Sequence, residues 1–229
     1  MSWKYVVVLI VVAIQVSPAW AAGTEVGTVA ALRAGNFDTA QAVFVGGYHN
    51  PGDGGGGYFW LNSADAQTKD NGCTVIVDAA GHRFYRGNFA GSLNVAMCGV
   101  RGDGITDDTG AVQSAINLIC RGPGQGGAIS IPPSFTLLIT APLSFKGCTG
   151  LRFGGTAVAG GDTYRSATIM WGGPPGSQPV LSVNQAAASS FENLTIYTYD
   201  ANLYARDRNA PSTDVAIDDT EAGAESPCD

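Results

Sequence analysis

Val100–Pro133 reads VRGDGITDDTGAVQSAINLICRGPGQGGAISIPP. It packs a tight bend, a helix start, one amphipathic helix, a Gly-rich break and a short β-branched strand into a single run. Gly102 and Gly104 flank Asp103 and permit the positive φ that such a bend demands. Thr106, Asp107, Asp108 and Thr109 supply side-chain oxygens able to accept from the unpaired N–H groups of a first helical turn. The two carboxylates also lie at the positive end of the helix dipole. Val112, Ala115, Ile116 and Ile119 recur at i, i+3, i+4 and i+7, which predicts a helix over about 109–120 with one apolar face. GPGQGG at 122–127 ends it, and Ala128–Ile131 alternates as a strand closed by Pro132 and Pro133.

Carried by Gly102-Asp103-Gly104, Thr106–Thr109, Ala111, Gln113, Ala115-Ile116, Gly126, Gly127 and Ile131-Pro132, this order resembles the N-terminal cap of the pectate-lyase-like superfamily. In particular it is similar to the N-terminal module of rhamnogalacturonase and epimerase-like pectate lyases. The superfamily also includes exo-glucanases and phage tailspike depolymerases. The resemblance implies an all-β fold: a right-handed parallel β-helix whose one α-helix lies across the open end of the first coil. Pro133-Ser134 departs from the family's Pro-Gly at the turn after the strand. The motif names a fold and not a reaction.

Outward from it, the N-terminus combines Lys4, an apolar run from Tyr5 to Ile14, Pro18 and Ala19-Trp20-Ala21. That pattern predicts a signal peptide over 1–21 and a secreted, extracellular or periplasmic, protein. The apolar run is too short to span roughly 30 Å of hydrocarbon, so no membrane association is expected after cleavage. Net charge is −7, and loss of Lys4 makes the mature chain more acidic still. Nucleic acid, which requires a basic footprint, is excluded as a partner. Five cysteines (Cys73, Cys98, Cys120, Cys148, Cys228) match no zinc spacing. Their odd count leaves one unpaired, with Cys228 the candidate. A Cys98–Cys120 or Cys120–Cys148 bridge would pin the helix, and the spacing leaves both open.

With 32 Gly and 14% charged residues, the chain reads as β-rich with many turns. Residues 22–96 form a leader: a helical turn at Val29–Leu32, strands at Ala42–Val45, Tyr58–Leu61, Thr74–Val77 and Arg83–Arg86, and the Gly-rich turn 52–57. Residues 97–198 form the cap and first coils. Short apolar runs recur there at Phe135–Ile139, Leu143–Phe145, Leu151–Phe153, Thr168–Trp171, Val180–Val183 and Phe191–Ile196. Three such strands make one coil of roughly 20 to 25 residues. So few coils suggest a truncated or naturally short relative. Residues 199–229 form an acidic tail of low hydrophobicity, expected to be disordered.

The residues that carry chemistry are sparse. Asp103, Asp107 and Asp108 could divide acid and base roles or hold Ca²⁺, but an Asx turn and helix capping explain them more simply. The family resemblance places them at the cap, away from substrate, and leaves calcium as a cofactor implied by resemblance alone. The His-Gly and Arg-x-Lys motifs of polygalacturonase-type hydrolases are absent. His82, beside Arg83 and Arg86, and His49 are isolated. The run Gly52–Gly57 lacks the Gly-Lys-Ser/Thr of a nucleotide loop. Arg152 and Arg165 are the basic residues nearest the expected helix surface, without acids grouped around them. Asn193-Leu194-Thr195 fits a glycosylation sequon and equally a turn whose Leu194 and Ile196 point inward. Tyr58, Trp60, Phe84, Tyr85, Trp171, Tyr197 and Tyr199 offer rings that belong to core pairs or to sugar-stacking platforms. Trp60 and Trp171 are the candidate substrate-binding residues, and no catalytic residue is assigned.

The function implied by the resemblance is action on extracellular or cell-wall polysaccharide, by elimination or hydrolysis of glycosidic bonds. The alternative is a non-enzymatic glycan-binding or surface-attachment solenoid, tailspike-like or adhesin-like, or an inactive fragment. Oligomeric state is left open.

Overall fold

The computed structural model describes residues 24–38, 40–87, 89, 91–121, 126–155, 167–174, 179–184, 186–198 and 217–218. The expected signal peptide, Arg165, Tyr199, Cys228 and all of the acidic tail except 217–218 lie outside them. Two apolar clusters organise the described chain, one under a mixed N-terminal sheet and one inside a stack of parallel strands.

The N-terminal sheet comprises Thr24–Thr28 (β1), Ala42–Gly47 (β2), Gly57–Leu61 (β3), Val75–Val77 (β4) and Arg83–Arg86 (β5), in spatial order β1-β2-β3-β5-β4. β1 and β2 are parallel, and the other pairs are antiparallel. Period-two alternation sends Val43, Val45, Phe59, Ile76 and Phe84 inward onto the short helix Val29–Ala34 (α1), which contributes Val29 and Leu32. Thr28 starts α1 by accepting from the Ala31 N–H at 3.1 Å.

The remainder follows a different plan. Ser92–Asn94 (β6), Gly127–Ile131 (β8), Leu151–Gly155 (β11) and Ser190–Glu192 (β14) form one sheet. Asp103–Asp107 (β7), Thr136–Ile139 (β9), Ala167–Trp171 (β12) and Leu194–Thr198 (β15) form a second. Leu143–Ser144 (β10), Leu181–Ser182 (β13) and Ile217–Asp218 (β16) form a third. Every pairing in these sheets is parallel. From β8 onward successive strands visit the three sheets in turn, which is the winding of a parallel β-helix, whereas between β7 and β8 a helix replaces the third-sheet strand. Each coil therefore sets like residues over like. Ile129 pairs with Phe153 and Phe153 with Phe191; Leu137 pairs with Ile169 and Ile169 with Ile196. Phe145 meets Phe153 and Phe191 edge-on at centroid distances of 5.1 and 5.0 Å. Coil length is uneven. Ile129 to Phe153 fits the expected period, whereas Leu137 to Ile169 and Phe153 to Phe191 exceed it, the excess lying in the connections between strands.

Helix Thr109–Ile119 (α2) forms within one residue of its expected bounds and buries Val112, Ala115, Ile116, Leu118 and Ile119 in the same interior cluster. A 3-10 turn, Val95–Cys98, precedes β7. The bend before α2 is itself a strand, β7, irregularly paired with β9. Gly102 is required there twice over: its φ is 61°, and a Cβ would meet the Phe135 ring at 2.2 Å.

Two disulfides join these parts, Cys73–Cys98 and Cys120–Cys148. The second is one of the two bridges that the spacing left open. Cys98 takes Cys73 as its partner, which excludes a Cys98–Cys120 bond. Near Cys73 lies Arg86, only 8% exposed. It donates to the carbonyls of Cys73 (2.9 Å), Gly56 (2.6 Å), Gly55 (2.9 Å) and Met97 (3.4 Å), with the Phe59 ring 4.5 Å below. Burial pushes its pKa down to about 10.

Phe153→Ala should lower the unfolding free energy by about 3–5 kcal/mol in urea denaturation, because its ring fills the interior at two stacked contacts. A loss below about 1 kcal/mol would show that the interior is not packed there.

Candidate functional site

The outward positions of β8, β11 and β14 carry a shallow cleft of about 270 Å³, lined by Ser130, Arg152, Gly154, Glu192 and Asn193 among others. The register that stacks phenylalanines inside stacks the outward residues too. Arg152 lies beside Ala128 and Ser190, and Gly154 lies between Ser130 and Glu192. Arg152 reaches across to Glu192, with Nε and Nη2 donating to one carboxylate oxygen at 3.1 and 2.7 Å. Ser190 Oγ donates to the other oxygen at 3.0 Å. These contacts, the Arg152 hydrogen bonds first, hold the Glu192 carboxyl below its usual range. Asn193 turns the chain from β14 into β15 with φ 53°. The run Phe191–Ile196 is thus two strands rather than one, and Leu194 and Ile196 pack inward as expected. The cleft offers a donor, an acceptor and a floor left bare by Gly154 and Gly155, which suits a ligand rich in hydroxyl groups. Sequence reading noted Arg152 and Asn193 separately. It missed Ser130 and Glu192, because only the coil register brings them together.

The acidic cluster is structural. Asp103 closes an Asx turn, accepting from the N–H groups of Ile105 (2.9 Å) and Thr106 (2.7 Å). Asp107 accepts from the Thr109 N–H at 3.0 Å and from Thr140 Oγ1 at 2.7 Å. Asp108 does not cap α2 through its side chain. It turns back and accepts from the N–H groups of Arg101 (2.8 Å) and Gly102 (3.0 Å), pinning the bend from inside. Its burial raises the carboxyl pKa against the pull of those two bonds. Among the described residues no three His, Cys, Asp or Glu side chains form a group that could hold a metal ion.

The Gly-rich turn is no phosphate cradle either. Asp53 fills it, accepting from the N–H groups of Tyr48 (2.8 Å), His49 (2.7 Å), Asn50 (3.0 Å) and Gly55 (2.9 Å). Burial opposes the charged form, but these four N–H groups prevail and hold the carboxyl below its usual range. His49 Nε2 lies 2.8 Å from the Gly99 carbonyl. His82 Nδ1 lies 3.0 Å from Asp78, whose carboxylate also accepts from the Phe37 and Ala80 N–H groups.

The two candidate tryptophans part company. Trp171 is 3% exposed, within the parallel stack, and its Nε1 donates to the Pro174 carbonyl at 3.3 Å. It presents no face to a ligand, because the inward register of β12 assigns its ring to the core. Trp60 is 54% exposed on β3, two residues from Tyr58 at 57%. Phe84 is buried, and Tyr85 pairs with Trp60 across the sheet.

A family of phage tail protein small four-stranded β-sheet domains matches residues 25–89, the span of the N-terminal sheet. No curated protein matches the chain in sequence. Among solved structures, it is similar to the tailspike protein of an Acinetobacter phage (23% identity, TM-score 0.58, covering 76% of this chain and 29% of that one). A Pantoea stewartii glycan biofilm modifying enzyme with a tailspike-like parallel β-helix gives 23% identity and a TM-score of 0.58, over 76% and 25% of the two chains. The tailspike of Acinetobacter baumannii bacteriophage Fri1, a capsular polysaccharide depolymerase, gives 21% identity and 0.56, over 76% and 33%. At these identities the shared property is the fold. The chain spans between a quarter and a third of the length of these three structures.

Because the Asp53 carboxyl titrates below its unfolded value, its contribution to stability is complete above about pH 4 and is lost as pH falls through the folded value. Asp53→Asn should destabilise the chain at pH 7 and flatten this acid dependence. Thermal melts followed across the acid range would check it, and an unchanged slope would refute it.

Proposed function

We propose that this chain is the glycan-binding opening of a secreted, pectate-lyase-like, right-handed parallel β-helix. In this reading a signal peptide at 1–21 precedes the leader at 22–96. The cap and first coils follow at 97–198, with an acidic tail at 199–229. Helix α2 acts as the cap. Its support is that the apolar face of α2 joins the same interior cluster as the stacked strands.

One observation carries the function: an open cleft on the outer face of the parallel sheet, holding Arg152 and Glu192 on adjacent coils. Sugar hydroxyls both donate and accept. A carboxylate beside a guanidinium therefore satisfies both ends of a vicinal diol, with charge-assisted bonds on each side. An extracellular polysaccharide is the ligand of this reading, with the tailspike-like fold in its support. Binding is favoured over cleavage within this stretch. Among the described residues the cleft lining contains a single carboxylate, Glu192, whereas glycoside hydrolysis commonly uses two.

The purified chain should be retarded by at least one polysaccharide in affinity electrophoresis against a panel of neutral and uronic-acid polymers. Arg152→Ala and Glu192→Gln should each weaken retention by about tenfold, the worth of a hydrogen bond to a charged group. Ultraviolet absorbance and a reducing-end assay on the same mixtures would detect unsaturated or hydrolysed products. Absence of retention across the panel would overturn the reading.

A further inference from the structure

We infer that the outward face of the N-terminal sheet is a second sugar-binding surface, a stacking platform built on Tyr58 and Trp60 that engages the same polysaccharide as the cleft. The inference rests on the glycan-binding reading above and extends it to a separate part of the fold.

Tyr58 and Trp60 are two residues apart on β3, so their side chains leave the same face about 7 Å apart along the strand. Both are more than half exposed, in contrast to Phe59 between them, which is fully buried. Trp60 lies against the backbone of Gly87, where a Cβ would come within 2.8 Å of its Nε1. Any side chain at 87 would push the indole from this seat. The Nε1 edge of the ring thus lies against backbone while more than half of the residue stays exposed. Phe44 flanks Tyr58 in register, with ring centroids 5.0 Å apart, and Tyr85 flanks Trp60. These neighbours widen the aromatic row across three strands.

The border of the row decides what it binds. Tyr85 Oη donates to Asp65 at 2.6 Å and lies 3.2 Å from Thr68 Oγ1. Asp65 also accepts from the N–H groups of Gln67 and Thr68. The Tyr85 hydroxyl, followed by these N–H groups, keeps the carboxyl ionised well below the usual range. None of the ion pairs among the described residues involves Asp65. A protein partner laid on this face would have to desolvate that carboxylate or bring a cation to it. A pyranose ring does neither: its C–H face stacks on the indole while its hydroxyl rim donates to Asp65 and remains wet. Two such surfaces on one chain hold a long polymer more tightly than either alone, because the second contact forms at high local concentration.

Trp60 fluorescence, isolated as the difference between the wild-type chain and Trp60→Phe, reads the surface directly. Adding a polysaccharide that the wild-type chain retains should protect Trp60 from iodide quenching. The Tyr58→Ala/Trp60→Ala double variant should lose about fivefold or more in affinity for the long polymer, with circular dichroism confirming the fold. A polymer that binds in an Arg152-dependent way, with Trp60 quenching unchanged and the double variant binding as wild type, would overturn this inference and leave the cleft reading intact. Light scattering that shows the wild-type chain as an oligomer and the double variant as a monomer would likewise overturn it, making the face a self-contact. If no polysaccharide is retained by the wild-type chain, the cleft reading and this inference fall together.

Discussion

The structure depends on parallel register. When a chain returns to the same sheet once per coil, in-register pairing sets each inward residue over its equivalent, and the same pairing fixes the outward rows. Ile129, Phe153 and Phe191 form a continuous apolar column for this reason. For the same reason Arg152 and Glu192 come to share a cleft though they are far apart in sequence. A slip of one residue in β11 would send Arg152 into the bore and Phe153 into solvent. Core and cleft are two sides of one constraint.

A second constraint joins the mixed sheet to the coils. The Cys73–Cys98 bond and the carbonyl cage around Arg86 sit at the same junction, and Tyr48 packs its ring against Gly99 close by. Hydrogen bonds from a guanidinium to carbonyls leave no formal counter-charge, so the buried cation depends on these carbonyls for its stabilisation. The sheet and the first coil accordingly meet through polar contacts of fixed geometry as well as through packing.

Much of this was legible in the sequence, for identifiable reasons. The apolar spacing of Val112, Ala115, Ile116 and Ile119 fixed α2 to within a residue, because a helical stripe over three turns is a strong signal. Short β-branched runs located most coil strands, and the family resemblance of the Val100–Pro133 motif implied that they wind into coils. What failed was anything set by long-range partners. Asp103–Asp107 looks like a pure turn, and it becomes a strand only because β9 lies beside it. Asp108 has the residue type of a helix cap and sits at the N-cap of α2, yet its carboxylate turns back to two N–H groups of the preceding bend instead of the helix. Trp60 and Trp171 both sit in apolar strands. Alternation alone cannot say which face of a two-faced strand meets the core, and the two rings ended on opposite sides. The cleft was invisible as a unit, since its members come from three separate coils.

The cage around Arg86 has a consequence for how the molecule gains and loses its shape. Its acceptors come from the Gly-rich turn, from the segment entering β4 and from the 3-10 turn that leads into the coils. Three of the four carbonyls belong to the same N-terminal part as Arg86, and the coil side closes the cage through Met97 at 3.4 Å. That bond and the Cys73–Cys98 disulfide link the two halves. Each half owns a separate apolar nucleus, and a nick at this junction would remove a shelter to which both contribute.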